Sequence, residues 1–271
     1  MHPICIQIGQ FTIHWYGVFM ALAFLAGMIS WIVVGKRDGR DGQFCSDMMF
    51  WVMIGGILGG RAAYVLSDLD YYSARPLEAL FLWKGGLIYY GGLIGGILAV
   101  VAYSRYRKIP ALAGLDLAMS SLPLSHALGR IGCFLNGCCF GGMCEAGPAV
   151  QFPSESHPWW RQVNLGLIGE DASHSLPVHP VQFYEAGANL LIYALLVVIF
   201  LRRRRNGMVV AMYLVAYPIC RFLLENLRGT YREQWFGLPV AQVISLILVA
   251  SGVALFLWLR KQPETRTPEL T

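Results

Sequence analysis

Charge is what this chain has least of. Only 14% of its 271 residues are Asp, Glu, Lys or Arg, against about 25% in soluble domains, while 56% are hydrophobic. That balance excludes a soluble globular domain and places the chain in lipid. The net charge of +5 is not gathered on a polar face. Its basic residues come in short clusters between apolar runs, which excludes nucleic acid as a partner. No Lys or Arg precedes the first apolar run, and that run is too long for a signal-peptide core, so a cleavable leader is not expected. The seven cysteines are too sparse for a disulfide scaffold. No nucleotide-binding loop and no recognisable metal-ligand motif is present, so neither a cofactor nor a metal is expected.

Seven apolar spans account for the chain: Phe11–Val34, Asp47–Leu66, Leu87–Tyr103, Ala111–Leu128, Val181–Leu201, Met208–Leu227 and Leu238–Leu259. The expectation is an all-α polytopic membrane protein, a bundle of seven transmembrane helices. Basic clusters follow the odd-numbered spans, at Lys36, Arg37 and Arg40, at Arg105, Arg107 and Lys108, at Arg202 to Arg205, and at Arg260, Lys261 and Arg266. The other connections hold only Arg75, Lys84, Arg161 and Arg232, with Arg228 at an edge. The positive-inside rule then puts the N-terminus on the periplasmic side and the C-terminus in the cytoplasm. Residues 1–260 form one transmembrane unit, with an external head at about 142–178 and a polar, disordered tail at 261–271. The head is too long for a tight turn, and a functional loop or a spacer are both open. Its Trp159 and Trp160 suit a membrane interface.

The fourth span is polar, with Asp116, Ser120, Ser121, Pro123 and Ser125. Such a helix lines a cavity or faces the bundle interior. Spans two and three share a motif, Gly55-Gly56-Ile57-Leu58-Gly59-Gly60 and Gly91-Gly92-Leu93-Ile94-Gly95-Gly96. Small residues four apart let helix backbones approach closely. Close packing is the expected role, with a gap that admits lipid as the alternative.

Charges inside the spans need a reason. Arg61 ends the glycine motif of span two, and Arg130 ends span four. On span six, Tyr217, Arg221, Glu225 and Arg228 are spaced +4, +4 and +3, which places them on one helix face. Arginine grips phosphate through a planar, bidentate fork. These residues therefore predict an outward-facing cavity for an anionic lipid headgroup. The run from His126 to Gly141 carries Gly129, Gly132, Gly137 and Gly141 and predicts a bent, closely packed segment. Cys133, Cys138, Cys139 and Cys144 within it have a C-x4-C-C-x4-C spacing. Zinc sites usually pair cysteines two to four residues apart. Packing in a tight bend is the expected role, and a disulfide from Cys144 to Cys138 or Cys139 is an alternative.

Several of these segments resemble prolipoprotein diacylglyceryl transferases. They are His14-Trp15-Tyr16-Gly17, Gly59-Gly60-Arg61 with Tyr64, Gly91-Gly92-Leu93-Ile94-Gly95, and Gly129-Arg130-Ile131-Gly132 through Phe134, Asn136 and Gly141. His179-Pro180 with Gln182, Tyr184 and Glu185 also matches, as does the set Tyr217, Arg221, Glu225 and Arg228. The resemblance implies a multi-pass enzyme of the bacterial inner membrane. It would move diacylglycerol from phosphatidylglycerol to the lipobox cysteine of a preprolipoprotein, releasing glycerol phosphate. Its partners would be those two substrates and the surrounding membrane lipids. By position, Arg130 and Arg221 would hold the phosphate and the leaving group. Tyr16, Arg61, Asn136, Gly141, Gln182, Tyr217 and Arg228 would line the substrate site. Glu225 and Arg228 would support the arginines or the acceptor peptide. Apart from the resemblance, Tyr90 and Glu225 are the two candidate proton acceptors. The sequence departs from the family pattern at Tyr90 (often histidine), Cys133 (often asparagine) and Cys138 (acidic). A subfamily with another hydrogen-bond network is the expected meaning. A paralogue with another acceptor and a non-catalytic lipid-binding or transport protein are the alternatives.

Overall fold

The computed structural model describes residues 3–9, 11–144, 147–229 and 234–265. A hairpin of β1 (Ile4–Ile8) and β2 (Phe11–His14) leads into α1 (Trp15–Arg37), then α2 (Gly42–Ser67) and the short α3 (Leu69–Ala74). Two 3₁₀ turns, Pro76–Leu80 and Leu82–Lys84, connect to α4 (Tyr89–Tyr106). Then come α5 (Ala111–Leu135), α6 (His157–Asn164), α7 (Val181–Arg202) and α8 (Met208–Glu225). A two-stranded ribbon, β3 (Gln234–Trp235) and β4 (Leu238–Pro239), precedes α9 (Val240–Arg260).

The chain is a mostly helical, polytopic membrane protein. Among the described residues, five helices, α1, α2, α7, α8 and α9, are long and apolar enough to cross a membrane. Large apolar side chains point outward along them, such as Leu58 and Leu191. Lipid is the solvent that such a surface requires. Helices α4 and α5 are as long but less apolar, for reasons visible in their packing.

Helix α5 is the centre of the bundle. It packs against α1, α7, α4 and α8 and buries more of its residues than any other helix. Protein rather than lipid surrounds it, so it tolerates polar side chains. Ser121 Oγ donates to Ser30 Oγ of α1 at 3.0 Å, and Ser125 Oγ donates to the Ala23 carbonyl at 2.8 Å. Asp116 has a different task. Its carboxylate accepts the backbone N–H groups of Gly207, Val209 and Val210 at 2.7, 3.0 and 3.1 Å, capping α8 from a neighbouring helix. Arg203 pairs with both Asp116 and Asp38, at 3.2 and 3.0 Å. This buried cluster ties α1, α5 and the α7–α8 connection together. A buried charge survives only when it is paired in this way.

Helix α4 is glycine-rich because it lies against α2 with the two backbones in contact. A Cβ at Gly95 would stand 2.9 Å from the Gly55 carbonyl carbon and 3.0 Å from the Gly59 Cα. The paired glycine motifs thus interleave, which is the close packing their spacing predicts.

Three local expectations change. Residues 11–14 form a strand rather than the start of span one. The alternation of Ile4, Ile6, Ile8 and Ile13 with Gln7 and Thr12 has strand period, which hydropathy alone does not resolve. Helix α5 runs regularly through Gly129 and Gly132 to Leu135, so the bend begins only at Asn136. Gly132 serves close packing, since a Cβ there would meet Phe19 Cβ at 2.9 Å. Trp159 is buried within the head and donates to the Ala172 carbonyl at 2.7 Å, while Trp160 is exposed. Of the tail, the Thr265 N–H bonds to the Arg204 carbonyl at 3.0 Å. Residues 266–271 of that tail, Arg266 among them, lie outside the described residues, as does Arg232.

Candidate active site

The end of α5, the start of α7 and the end of α8 meet at one point. There the chain bends at Gly137 (φ +72°) and Cys139 (φ +60°). The bend then turns into an extended segment held from both sides. The Gly141 N–H donates to the His179 carbonyl at 3.0 Å, and the Gly142 N–H donates to the Leu227 carbonyl at 2.8 Å. Gly141 pairs with Arg228 in an isolated antiparallel bridge. A Cβ at Gly141 would stand 2.6 Å from His179 Cβ and 2.7 Å from Val181 Cγ2, so only glycine fits. Gln182 closes the bend, its Nε2 donating to the Cys138 carbonyl at 2.8 Å.

Glu185 is the hub of the charges. One carboxylate oxygen stands 2.5 Å from Arg130 Nε and the other 3.2 Å from Arg228 Nε. All three side chains are largely buried. Arg221 pairs separately with Glu225, one helical turn away on α8. Helix α8 ends at Glu225, so Arg228 lies beyond the helix and turns to Glu185 instead of completing the stripe expected on span six. A small cavity lined by Glu185, Asn189, Tyr217, Cys220 and Arg221 joins the two pairs. Asn189 closes it on α7, with Nδ2 donating to the Glu185 carbonyl at 2.8 Å.

Tyr217 stands at the middle. Its ring stacks on Tyr213 at 5.4 Å and meets His126 at 5.3 Å. His126 lies within electrostatic reach of Arg130, Arg221 and Arg228 together. The site therefore concentrates three guanidiniums and two carboxylates around a histidine and a tyrosine. That arrangement leaves one positive charge in excess, which suits a phosphate monoanion.

The other expected residues divide. Tyr16 lies within electrostatic reach of Arg130 and of Cys133, Cys138 and Cys139. Asn136 caps α5, two residues before Cys138, whose thiol donates to the Cys133 carbonyl at 3.6 Å. Tyr90 is 61% exposed on the first turn of α4, with its ring 5.6 Å from Tyr89. Its neighbour Tyr89 is the tyrosine within reach of Arg130 and Tyr217. Arg61 belongs to a separate assembly. Its guanidinium donates to the carbonyls of Glu78, Ala79, Gly85 and Gly86 at 2.7 to 3.2 Å, and so fixes the α2–α4 connection.

Two residues carry more of the site than sequence reasoning assigned them. Glu185 sits in a quoted motif, and an acidic side chain in an apolar span demands a cationic partner. That signal was available. His126 offered none beyond its own presence, because only the α5–α8 packing brings it among the arginines. The three thiols of Cys133, Cys138 and Cys139 also converge, with their sulfurs within 4.8 Å of one another. Cys144 is buried.

Residues 3–258 match the family model described as prolipoprotein diacylglyceryl transferase. Among curated proteins, the phosphatidylglycerol--prolipoprotein diacylglyceryl transferase of Paracidovorax citrulli is 32% identical, covering 96% of each chain. The protein of the same name from Nostoc sp. is 32% identical over 96% of this chain and 91% of its own. That from Verminephrobacter eiseniae is 33% identical over 95% and 92%. With the glycine-lined bend, the arginine set and the length of the match in agreement, the chain belongs to the prolipoprotein diacylglyceryl transferase family.

Proposed function

We propose that this protein transfers the diacylglyceryl group of phosphatidylglycerol to the lipobox cysteine thiol of a preprolipoprotein. The observation that carries the reading is the Arg130–Glu185–Arg228 cluster and the Arg221–Glu225 pair, which meet through Glu185 and Arg221 at the lining of one small cavity. The relatives' names supply the two substrates, and the cluster supplies a reason for them in this chain. Seven spans, with α4 and α5 crossing inside the bundle, would put this cavity toward the periplasmic side of the inner membrane. The basic clusters after α1, α4, α7 and α9 support that orientation.

The reaction is a displacement at the glyceryl carbon. The acceptor sulfur forms a bond to that carbon, the carbon–oxygen bond to phosphate breaks, and glycerol phosphate departs. Negative charge builds on the departing oxygen, where Arg130 and Arg221 stabilise it in a site already organised around their charges. Glu185 and Glu225 hold those guanidiniums in place and keep them from repelling one another. Arg228 supports Arg130 through the shared carboxylate. Tyr16 stands within electrostatic reach of Arg130 and the three thiols, Tyr217 lines the cavity, and Gln182 closes the bend. Asn136 and Gly141 keep the bend that carries the site, and Arg61 anchors the α2–α4 connection.

The acceptor thiol must lose its proton before it attacks. Glu225 is engaged by Arg221. Tyr90, exposed on the first turn of α4, is left as the group that takes the proton, through water. Its free pKa of about 10 makes it a weak base, so the thiol needs a second source of activation.

Incubation of the full-length protein with labelled phosphatidylglycerol and a lipobox peptide tests the reading. The expected product is a diacylglyceryl thioether on the peptide cysteine, with one glycerol phosphate released per thioether. Lipid that binds without turnover would favour a carrier. Transfer to a peptide lacking cysteine would mean another acceptor.

A further inference from the structure

We propose that Cys133, Cys138 and Cys139 are three ligands of a zinc ion whose fourth position takes the acceptor thiol. The sequence spacing argues against a metal, but the fold overrides it. Cys133 lies on the last turn of α5, and Cys138 and Cys139 follow the bend that reverses the chain. Their sulfurs come within 4.8 Å of one another. With Zn–S bonds of about 2.3 Å, tetrahedral ligands stand about 3.8 Å apart. Closing this cluster onto an ion therefore needs sulfur movements of less than about 1 Å, within side-chain rotation.

Three further features point the same way. The cluster is a trio, the ligand number of catalytic zinc sites, which keep one position open. Thiolates select soft or borderline ions over magnesium or calcium. The cluster is only part-buried, and it borders the arginine site. Arg130 and Arg228 both act on Cys139. Three thiolates and a zinc ion carry one negative charge, and these guanidiniums offset it.

The surrounding structure holds the ligands. Cys139 adopts a left-handed backbone, φ +60°, which a residue with a Cβ avoids unless its surroundings require it. The Gln182 side chain grips the Cys138 carbonyl at 2.8 Å. Such outer partners orient the ligands of a metal. Cys133 and Cys138 are also two of the three positions at which the sequence departs from the family pattern.

The site deepens the proposed transfer and rests on it only for the fourth ligand. The peptide thiol binds the ion as thiolate, and its proton leaves toward Tyr90 or water. A weak base then suffices, because the ion has lowered the thiol's proton affinity. The sulfur next forms its bond to the glyceryl carbon as the carbon–oxygen bond breaks. The product thioether is neutral and a poorer ligand, so it leaves the ion. No oxidation change occurs at any step.

The test uses the full-length protein purified under reducing conditions. Metal analysis should find about one zinc per chain. Cys133→Ser and Cys139→Ser should each lose most of it, and Cys5→Ser should keep it. Cobalt(II) exchanged into the wild-type protein guards against variants that fail to fold. It should show thiolate charge-transfer absorption, and a lipobox peptide should shift its visible bands where a Cys→Ser peptide does not. Zinc removal should cut transfer at least about 10-fold, and zinc alone should restore it. Several results would overturn the proposal. One is copper(I) in place of zinc, since a closed trigonal site has no place for the acceptor. Others are a disulfide among the three thiols with no metal under reductant, or full transfer by metal-free protein. A cobalt spectrum that ignores the cysteine peptide would remove the acceptor from the ion. Stoichiometric zinc without any lipid transfer would instead sink the transferase reading and leave the ion standing.

Discussion

Glu185 and the arginines it holds set the residue-scale expectations. Glu185→Gln keeps the shape but removes the charge shared by Arg130 and Arg228, leaving two buried cations facing each other. Removing one member of a buried ion pair costs about 3–5 kcal/mol. We expect a lower thermal midpoint in detergent and at least a 10-fold loss of turnover, roughly the effect of one misplaced electrostatic group. Unchanged values for both would show that the carboxylate is not the counter-ion. Arg130→Lys and Arg221→Lys should be nearly as harmful as the alanine variants, because lysine lacks the planar fork. Full turnover by both lysine variants would rule out bidentate phosphate contact. Tyr90→Phe should lose more than about 10-fold in turnover while still binding phosphatidylglycerol, within the usual worth of general acid–base help. Tyr90→His should recover part of the rate with an optimum at lower pH. A wild-type rate for Tyr90→Phe from pH 6 to pH 9 would leave Tyr90 as a packing residue.

At the scale of elements, the α2–α4 contact is the sharpest case. Two neighbouring glycines of α4 make opposite predictions. Gly95 faces the backbone of α2, whereas a Cβ at Gly96 would meet only Val52 Cγ1 at 3.7 Å, an ordinary contact. Gly95→Val should therefore separate the helices and destabilise the bundle by at least about 1–3 kcal/mol, the usual cost of overpacking. Gly96→Ala should be close to neutral. Unfolding in detergent measures both, and equal midpoints would mean that the helices do not approach as described. Sequence spacing marked the glycines but could not say which faced the partner. The same limit applies to span six. The stripe Tyr217, Arg221, Glu225 and Arg228 has helical spacing, yet the helix stops at Glu225 and Arg228 turns toward α7. Helical spacing predicts shared faces only as far as the helix runs.

For the whole molecule, the proposed orientation places the C-terminus in the cytoplasm. A phosphatase fused after residue 271, active only in the periplasm, should be silent, and the same reporter near the N-terminus should be active. The reverse pattern would place the arginine site on the cytoplasmic side. The sequence by itself determined that the chain belongs in lipid. Scarce charge and long apolar runs leave no other solvent for its surface. It also determined which charges need explaining, because an arginine in an apolar span is costly wherever it lies. Hydropathy could not place α5 among the most apolar helices, since a helix wrapped in protein has no need of an apolar surface. Only the tertiary structure decided partnership. Asp116 caps a helix 91 residues further on, at Gly207. Glu185 joins arginines from α5 and from beyond α8. Three cysteines with unpromising spacing meet where α5 ends and the chain reverses. Spacing encodes neighbours along one helix, whereas these contacts depend on how separate helices cross, and that is fixed by the packing of the whole bundle.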